Sequence, residues 1–286
     1  MCNHWAIATD RLRSVTGAPP TLYVRGDHTV LNPDRAIGIV GSRRITADGV
    51  RFTRNVARQL SSDGVTVISG LAAGADREAH EGCLEGDMPT IAVLGSAVDR
   101  LYPAENVDLA ERIAAEGGAL VSEYRPGTPP AAHQFPARNR LISGMSDGVL
   151  MTEGTAKSGA MITMAFAKEQ RRALFAVPGS VYSVAYEGNN KLLTEGALAC
   201  IGPEQILSYF AWEGAPEAEQ LTMNALAGLD ETSQMIVNLL KFEEKSFSDL
   251  VSETKMNSSS LNSLLTILEM QGIIRQSPGR MFRALV

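Results

Sequence analysis

Short apolar runs separated by longer amphipathic stretches set the pattern of the first two thirds of the chain. The runs lie at residues 37–40, 65–68, 90–94, 119–123, 148–153, 173–177 and 196–200. Between them, stretches such as 50–60 carry their apolar residues at helical spacing. Near-continuous apolar runs are typical of strands buried on both faces, so their alternation with helices predicts an α/β fold with a mostly parallel sheet.

Small and polar residues follow several of these strands. Gly41, Ser42, Arg43 and Arg44 follow the first run, Ser69 and Gly70 follow the second, and Lys157, Ser158 and Gly159 follow the run at 148–153. Parallel strands joined by right-handed crossovers end at one edge of the sheet, so these loops are expected to meet there.

Two of these loops have the features of a phosphate site. The segment at 41–60 reads as strand, turn and helix, which offers free backbone N–H groups and the positive end of a helix dipole. The loop at 154–159 places Lys157 beside further N–H groups. The alternative for residues 41–44 is a plain tight turn.

A helix predicted at 136–146 carries Arg138, Asn139 and Arg140 in its first turn. Cations at that end oppose the helix dipole, which favours a bound anion; the alternative is pairing with nearby Asp or Glu. With Arg43, Arg44 and Lys157, the two arginines predict a cationic groove at the sheet edge. Phe135, Tyr182 and Tyr186 lie on neighbouring loops and are candidates for stacking nucleobases, with ordinary packing as the alternative.

The pattern divides the chain into four parts. We expect a short N-terminal extension at 1–35, the sheet domain at 36–211, a linker at 212–228 and a second domain at 229–286. Three helices and a hairpin within the last part predict a winged helix. Its third helix, 257–271, has no Lys or Arg, which disfavours a reader of the DNA major groove.

Composition narrows the function classes. The 286 residues have a net charge of −6, so any nucleic-acid binding must come from a local basic patch. The three cysteines and four histidines lack metal-ligand spacing, and we expect no metal site, no cofactor and a reducing compartment. A bilayer-spanning run and a signal pattern are absent, which predicts a cytoplasmic protein without a membrane partner. No nucleophile–base set or paired carboxylates stand out, so we expect no catalytic residues and a binding protein rather than an enzyme.

Taken together in order, the motifs resemble those of the DNA-processing protein A (DprA, or Smf) family. The matching segments are 41–43, 69–76 with 79–80, 92–95, 102–103 with 106, 122–124, 135–140, 158–159 with 162–163, 176–179, and 188–190 with 196–197. The resemblance implies an extended Rossmann-like domain that binds and protects incoming or recombining single-stranded DNA. It also implies loading of the recombinase RecA in natural transformation (competence) and DNA recombination, and a homodimer. The family's basic positions carry over to Arg43, Arg138, Asn139 and Arg140, and more loosely to Lys157 and Lys168.

Two other functions stay open at this point. A Rossmann-like nucleotide-binding or nucleotide-hydrolysing enzyme of the phosphoribohydrolase type is similar in fold, and Glu153-Gly154-Thr155 stands where such enzymes carry a glutamate-bearing glycine-rich loop. The Pro-Gly-Gly-x-Gly-Thr pattern of those enzymes is absent. The remaining alternative is a regulator that reads DNA sequence through the winged helix.

Overall fold

The computed structural model describes residues 5–7, 9–13, 15–212, 231–240, 244–270, 273–277 and 280–284. The chain forms two compact units, residues 1–212 and 213–286, and each is described by itself. The predicted linker, apart from Trp212, lies outside the described residues.

The first unit is built on one nine-stranded sheet. Its strands are β1 (Trp5–Ile7), β2 (Leu22–Gly26), β3 (Ala36–Val40), β4 (Thr66–Ser69), β5 (Ile91–Val93), β6 (Ala119–Ser122), β7 (Gly148–Met151), β8 (Ala173–Ala176) and β9 (Leu198–Ala199). Its α-helices are α1 (Ala47–Ser62), α2 (Ala75–Leu84), α3 (Val107–Ala115), α4 (Gln134–Met145), α5 (Gly159–Glu169), α6 (Glu187–Thr194) and α7 (Glu204–Phe210).

The strand order is β1-β2-β6-β5-β4-β3-β7-β8-β9. All neighbours from β6 to β9 pair in parallel, whereas β2 pairs with β1 and β6 antiparallel. The predicted α/β class with a mostly parallel sheet is therefore confirmed. From β3 the chain builds outward first through β4, β5 and β6, and then through β7, β8 and β9 on the other side. The boundary between β3 and β7 is thus the switch point at which open α/β sheets bind ligands.

The N-terminal segment belongs to this domain and is not an extension beside it. Strand β2 continues the sheet beyond β6, with Tyr23 opposite Ser122. Leu22, Val24 and Leu31 are fully buried in the same apolar core as β3 and α4. The sequence signal is weak here because β2 has only five residues and buries only two of them.

The second unit is a winged helix with its own core, as predicted. Its described elements are α8 (Glu231–Leu240), β10 (Lys245–Ser246), α9 (Phe247–Thr254), α10 (Ser258–Met270), β11 (Ile274–Ser277) and β12 (Met281–Ala284). The three strands form an antiparallel sheet in the order β10-β12-β11. Leu240, Leu250, Leu265 and Phe282 are buried together between helices and sheet.

The described helices are shorter than a helix that spans a bilayer. The 16 residues of α1 fall below the roughly 20 apolar residues that a membrane-spanning helix needs. Among the described residues, no helix combines the required length with sufficient apolarity to cross a membrane.

Candidate nucleic-acid interface

A cleft of about 850 Å³ opens at the carboxyl edge of the sheet, above the switch point between β3 and β7. Ligand pockets in proteins are commonly of this size. The cleft brings together eight of the residues that the sequence predicts for a phosphate site: Gly41, Ser42, Arg43, Arg44, Arg138, Asn139, Ser158 and Gly159. The predicted meeting of loops that are distant in sequence is therefore present for these residues.

The loop after β3 is tightly fixed to its surroundings. The backbone N–H of Ser42 donates to the carbonyl of Glu153 at 2.6 Å, and the carbonyl of Ser42 accepts from Ala75 N–H at 3.0 Å. A Cβ atom at Gly41 would lie 2.6 Å from the Cβ of Ala75 and 2.9 Å from the Glu153 carbonyl oxygen. Only glycine therefore allows β3, β7 and α2 to approach this closely.

Arg43 and Arg44 project from this fixed loop into solvent. Both side chains are exposed, and both line the cleft. Neither forms an ion pair with any residue in the described part of the chain. The backbone N–H of Arg44 donates to the hydroxyl of Ser42 at 3.0 Å, which fixes the turn between these two residues. The two guanidinium groups are thus available to an anionic ligand.

The N-terminus of α1 does not serve as the predicted phosphate site. Its N-cap Thr46 accepts from Gly49 N–H at 3.1 Å. The Glu153 carboxylate accepts from the Thr46 hydroxyl at 2.6 Å and from the Thr46 N–H at 3.1 and 3.2 Å. A buried carboxylate therefore already compensates the positive end of this helix, and the expectation of a free α1 terminus is wrong.

The N-terminus of α5, unlike that of α1, is free of a side-chain cap and of a nearby carboxylate in its first turn. Its N-cap Ser158 makes no side-chain cap hydrogen bond, and no acidic residue lies in the first turn. The Ser158 hydroxyl is buried without a partner among the described residues. Ser158, Gly159 and Ala160 line the cleft together with Arg43 and Arg44, so the positive end of the α5 dipole lies at the same cleft as the two arginines. Lys157 is exposed next to this turn but is not among the residues that line the cleft.

Arg138 lies beneath the cleft and is only 3% exposed. Its Nη1 donates to the carbonyl of Gly70 at 2.7 Å and to the carbonyl of Val93. Burial lowers the pKa of Arg138 to about 10, which leaves the guanidinium charged at neutral pH. The arginine thus ties together the ends of β4 and β5. A bound anion is not needed to explain an arginine in the first turns of α4, because backbone carbonyls satisfy it.

Asp76 lies beside Arg138 and balances its charge. Burial raises the pKa of Asp76, and the positive charge of Arg138 acts in the opposite direction. A Cβ at Gly70 would lie 2.6 Å from both Arg138 Nη2 and Asp76 Oδ2, so Gly70 makes room for this pair. Ser69 is also buried, and its hydroxyl donates to the Ile39 carbonyl at 2.6 Å. Ser69 and Gly70 therefore hold the floor of the site together.

Arg140 and Lys168 lie away from the cleft lining. Arg140 donates to both carboxylate oxygens of Glu123 at 2.7 and 2.8 Å and to the Gly17 carbonyl. This is the pairing that the sequence left as an alternative to a bound anion. Lys168 is exposed in the last turn of α5, roughly 14 Å along the helix from Gly159 at 1.5 Å per residue. Neither Arg140 nor Lys168 lines the cleft that Arg43 and Arg44 line.

The three candidate stacking residues have different surroundings. Phe135 packs against Tyr102 with ring centroids 5.3 Å apart, although it also lines the cleft. Tyr186 is half-buried and lies against Gly179, where a Cβ would overlap its ring. Tyr182 is exposed in the loop after β8.

Glu153 bears directly on the rival enzyme interpretation. Its side chain is fully buried, and its carboxylate is bound to Thr46 at the start of α1. Glu153 also lines the cleft, but hydrogen bonds from Thr46 occupy both of the carboxylate oxygens that a catalytic glutamate would present to a substrate. Within the described ranges, no group of three or more His, Cys, Asp or Glu side chains is placed to hold a metal ion.

Sequence reasoning missed the roles of Thr46, Asp76 and Glu153. For Thr46 a signal was present, because Thr46-Ala47-Asp48 is a typical N-cap followed by an acidic first turn. That signal places the start of α1 several residues beyond Arg44 and leaves room for a distinct loop. Glu153 and Asp76 carry no such signal, since their partners lie far away in sequence.

Comparison with known proteins gives two family matches. The model for DNA recombination-mediator protein A matches residues 7–211, and the model for the DprA winged helix domain matches residues 220–280. The chain is 40% identical over 195 residues to the DNA processing protein DprA of Bacillus subtilis, which covers 68% of this chain and 65% of that protein. It is 38% identical over 226 residues to protein Smf of Escherichia coli, covering 76% and 60%. The matched part thus spans less than two thirds of these relatives.

Two solved structures are similar to this chain in fold. DNA processing protein A of Streptococcus pneumoniae matches with a TM-score of 0.67 and 33% identity over 72% of this chain and 74% of that one. DNA processing protein A of Helicobacter pylori, reported for its single-stranded DNA binding mode, matches with a TM-score of 0.67 and 28% identity over 73% and 95%.

Proposed function

The chain belongs to the DNA recombination-mediator protein A family, and on that premise we propose that its cleft binds single-stranded DNA. The observation that carries this proposal is the position of Arg43 and Arg44. Both are exposed, neither is ion-paired within the described residues, and both line the same cleft as the first turn of α5, whose N-cap makes no side-chain cap hydrogen bond. Cationic side chains and a helix N-terminus that line one cleft suit the phosphates of a bound strand.

A single strand suits this cleft better than a duplex. The cationic groups line a concave site, whereas a duplex is a stiff rod with a persistence length of about 150 base pairs. A flexible strand bends into the cleft at little cost. The net charge of −6 gives no long-range attraction for DNA in general, so binding depends on this local site.

The finer parts of the proposal rest on family membership. They are protection of incoming or recombining single strands, loading of RecA in DNA uptake, transformation and recombination, action as a homodimer in the cytoplasm, and the absence of a catalytic step. Support comes from the similarity to relatives that are DNA processing proteins and to a solved homologue that binds single-stranded DNA. Gly41, Ser42, Arg43, Arg44, Ser158 and Gly159 contact the strand in this proposal, and Lys157 lies at its border. Arg138, Ser69 and Gly70 hold the floor.

The test compares oligonucleotides by fluorescence anisotropy across a salt series. If about three to five phosphates are contacted, log affinity for a single strand falls against log salt with a slope of roughly −2 to −3.5. Duplex of the same length is expected to bind more weakly. Salt-independent affinity, or a preference for duplex, overturns the proposal.

Separate assays address the finer parts. RecA filament formation on strands covered by a single-strand binding protein is expected to be faster with this protein than without it, and light scattering is expected to give a dimer mass. Incubation with nucleoside monophosphates is expected to release no free base. Release of base that is lost in Glu153→Gln would favour the phosphoribohydrolase interpretation instead.

A further inference from the structure

The loop between β8 and α6, residues 177–186, presents apolar side chains to solvent. Val181 is 82% exposed, Tyr182 is 95% exposed and Val184 is 70% exposed. Exposed apolar residues scattered singly need no explanation, but three within four positions form a local apolar surface. Such a surface is typical of a contact site.

Hydrogen bonds and packing anchor this loop at both ends. The side-chain amide of Asn190 both accepts from Gly179 N–H at 3.3 Å and donates to the Gly179 carbonyl at 3.1 Å. Tyr186 packs against the same glycine. Within the loop, Ser180 accepts from Ser183 N–H at 3.0 Å through its carbonyl and from Tyr182 N–H at 3.3 Å through its hydroxyl. The backbone therefore holds the apolar side chains outward.

The apolar surface is continuous with the cleft. Val184 and its neighbour Ala185 line the cleft together with Ser158 and Arg44. The loop at 177–186 contains no charged residue, whereas the rest of the cleft lining includes the two exposed arginines Arg43 and Arg44. A ligand that spans both must have an anionic part for the cleft and a flat or apolar part for the loop. A nucleotide strand has both.

We propose that Tyr182, flanked by Val181 and Val184, stacks a nucleobase of the strand whose phosphates lie in the cleft. This inference rests on the proposed function and adds to it a residue that contacts bases rather than phosphates. Every nucleobase has a π face, so stacking on Tyr182 gives affinity without strong sequence preference. The aromatic ring loses little conformational freedom on binding, because its loop is already anchored.

The experiment uses the full chain and two oligonucleotides of equal length. One is oligothymidylate, and the other is an abasic strand that has the same backbone without bases. We compare the native protein with Tyr182→Ala and Tyr182→Phe, and use Ile201→Ala as a matched control, because Ile201 is also exposed, at 72%, but does not line the cleft. Replacement of a residue that is 95% exposed leaves the core untouched.

Tyr182→Ala is expected to weaken binding of oligothymidylate between about 5-fold and 150-fold, the range found for one stacked base. It should leave the affinity for the abasic strand and the salt slope unchanged. Tyr182→Phe and Ile201→Ala should bind oligothymidylate as the native protein does.

Three outcomes overturn the inference. Equal affinity of Tyr182→Ala and the native protein for oligothymidylate would show that Tyr182 does not contribute to binding. Equal weakening on both strands would mean that the residue acts on the backbone site. A change in molecular mass by light scattering, without a base-dependent effect, would assign the surface to protein contacts. Failure of the native protein to bind either strand would instead refute the proposed function itself.

Discussion

The Glu153 carboxylate and the Thr46 hydroxyl lie 2.6 Å apart across 107 residues of sequence. The same glutamate accepts through its backbone carbonyl from Ser42 N–H. Residues 42 and 46 are therefore both fixed to Glu153, one on each side of Arg43 and Arg44. The glutamate that a sequence comparison with phosphoribohydrolases singles out as a possible catalyst thus holds the cationic loop in place.

Removing this anchor is expected to lower stability. Glu153→Ala leaves the Thr46 N–H without its partner and removes a charge-assisted hydrogen bond, which costs about 3 kcal/mol in the free energy of unfolding. Thr46→Val removes the hydroxyl but keeps the carboxylate and the backbone bond, so a smaller loss of about 1 kcal/mol is expected. Urea denaturation measures both. A Glu153→Ala protein as stable as the native one would contradict the anchoring role.

Arg43 and Arg44 are expected to contribute directly to the salt dependence of binding. Each phosphate contact to a single strand contributes about −0.7 to the slope of log affinity against log salt. Arg43→Gln or Arg44→Gln should therefore make the slope shallower by about that amount, and Arg43→Glu should weaken binding further by repulsion. Arg51→Gln is the matched control, since Arg51 is an exposed arginine paired with Asp48 on α1 and lies outside the cleft. An unchanged slope in both cleft variants would remove these arginines from the interface.

Arg138 is expected to act as a positioning residue. Arg138→Met leaves the carbonyls of Gly70 and Val93 unpaired and the Asp76 carboxylate without its counter-charge, which is expected to cost about 3 kcal/mol of stability. The salt slope of any remaining DNA binding should not change, because the buried guanidinium displaces no counterion. Adding Asp76→Asn should recover part of the loss in a double-mutant cycle. A slope that becomes shallower in Arg138→Met would show direct phosphate contact instead.

Arg140 offers a contrast within the same helix. Its guanidinium is already compensated by Glu123, so Arg140→Gln is expected to cost about 1 kcal/mol of stability and to leave the salt slope as it was. Glu123→Gln should have a similar effect on stability. Loss of DNA binding in a folded Arg140→Gln protein would place this arginine in the interface after all.

His80 is expected to make the fold sensitive to mild acid. His80 Nδ1 lies 2.8 Å from the Thr90 hydroxyl oxygen. Because that hydroxyl donates its only proton to the Val67 carbonyl, we assign the donated proton between the two side chains to Nδ1. Burial, and next the charge of Arg138, lower the pKa of His80 from 6.5 to about 3. Between these values the unfolded chain binds a proton that the folded protein does not, so stability falls as pH drops below 6.5.

The size of this effect follows from the shift. Between pH 7.5 and pH 5 the native protein should lose about 2 kcal/mol more than His80→Gln, at up to 1.36 kcal/mol per pH unit. Urea denaturation at the two pH values measures the difference. Equal pH dependence of the two proteins would mean that His80 is protonated in the folded state or is solvated.

Much of the fold follows from the sequence, because buried parallel strands are near-continuous apolar runs with small residues at their ends. The apolar run at Ala36–Val40 predicts β3, and the glycine after it predicts the turn. Strand β2 was less evident as part of the sheet, since its place depends on pairing with β6. The position of Arg43 and Arg44 at the sheet edge was predictable from topology alone.

The site itself could be predicted only in part. The sequence shows that Arg138 and Arg140 share one helix. Residues that are two positions apart in a helix point in directions that differ by about 200° around its axis. One arginine therefore points beneath the sheet edge and the other points towards Glu123. Local rules identify Thr46 as the N-cap of α1, but they do not predict that the carboxylate of Glu153, 107 residues away, also occupies that terminus.

The pairing of Ile37 with Gly148 also fixes when the binding cleft comes into existence. One wall comes from the loop after β3 and the other from the start of α5, more than one hundred residues later. During synthesis, the ribosome must therefore release the whole of β7 and α5 before the cleft can form. A shorter nascent chain carries Arg43 and Arg44 but lacks the residues of α5 that complete the cleft, so any ligand bound there indicates that synthesis has passed α5.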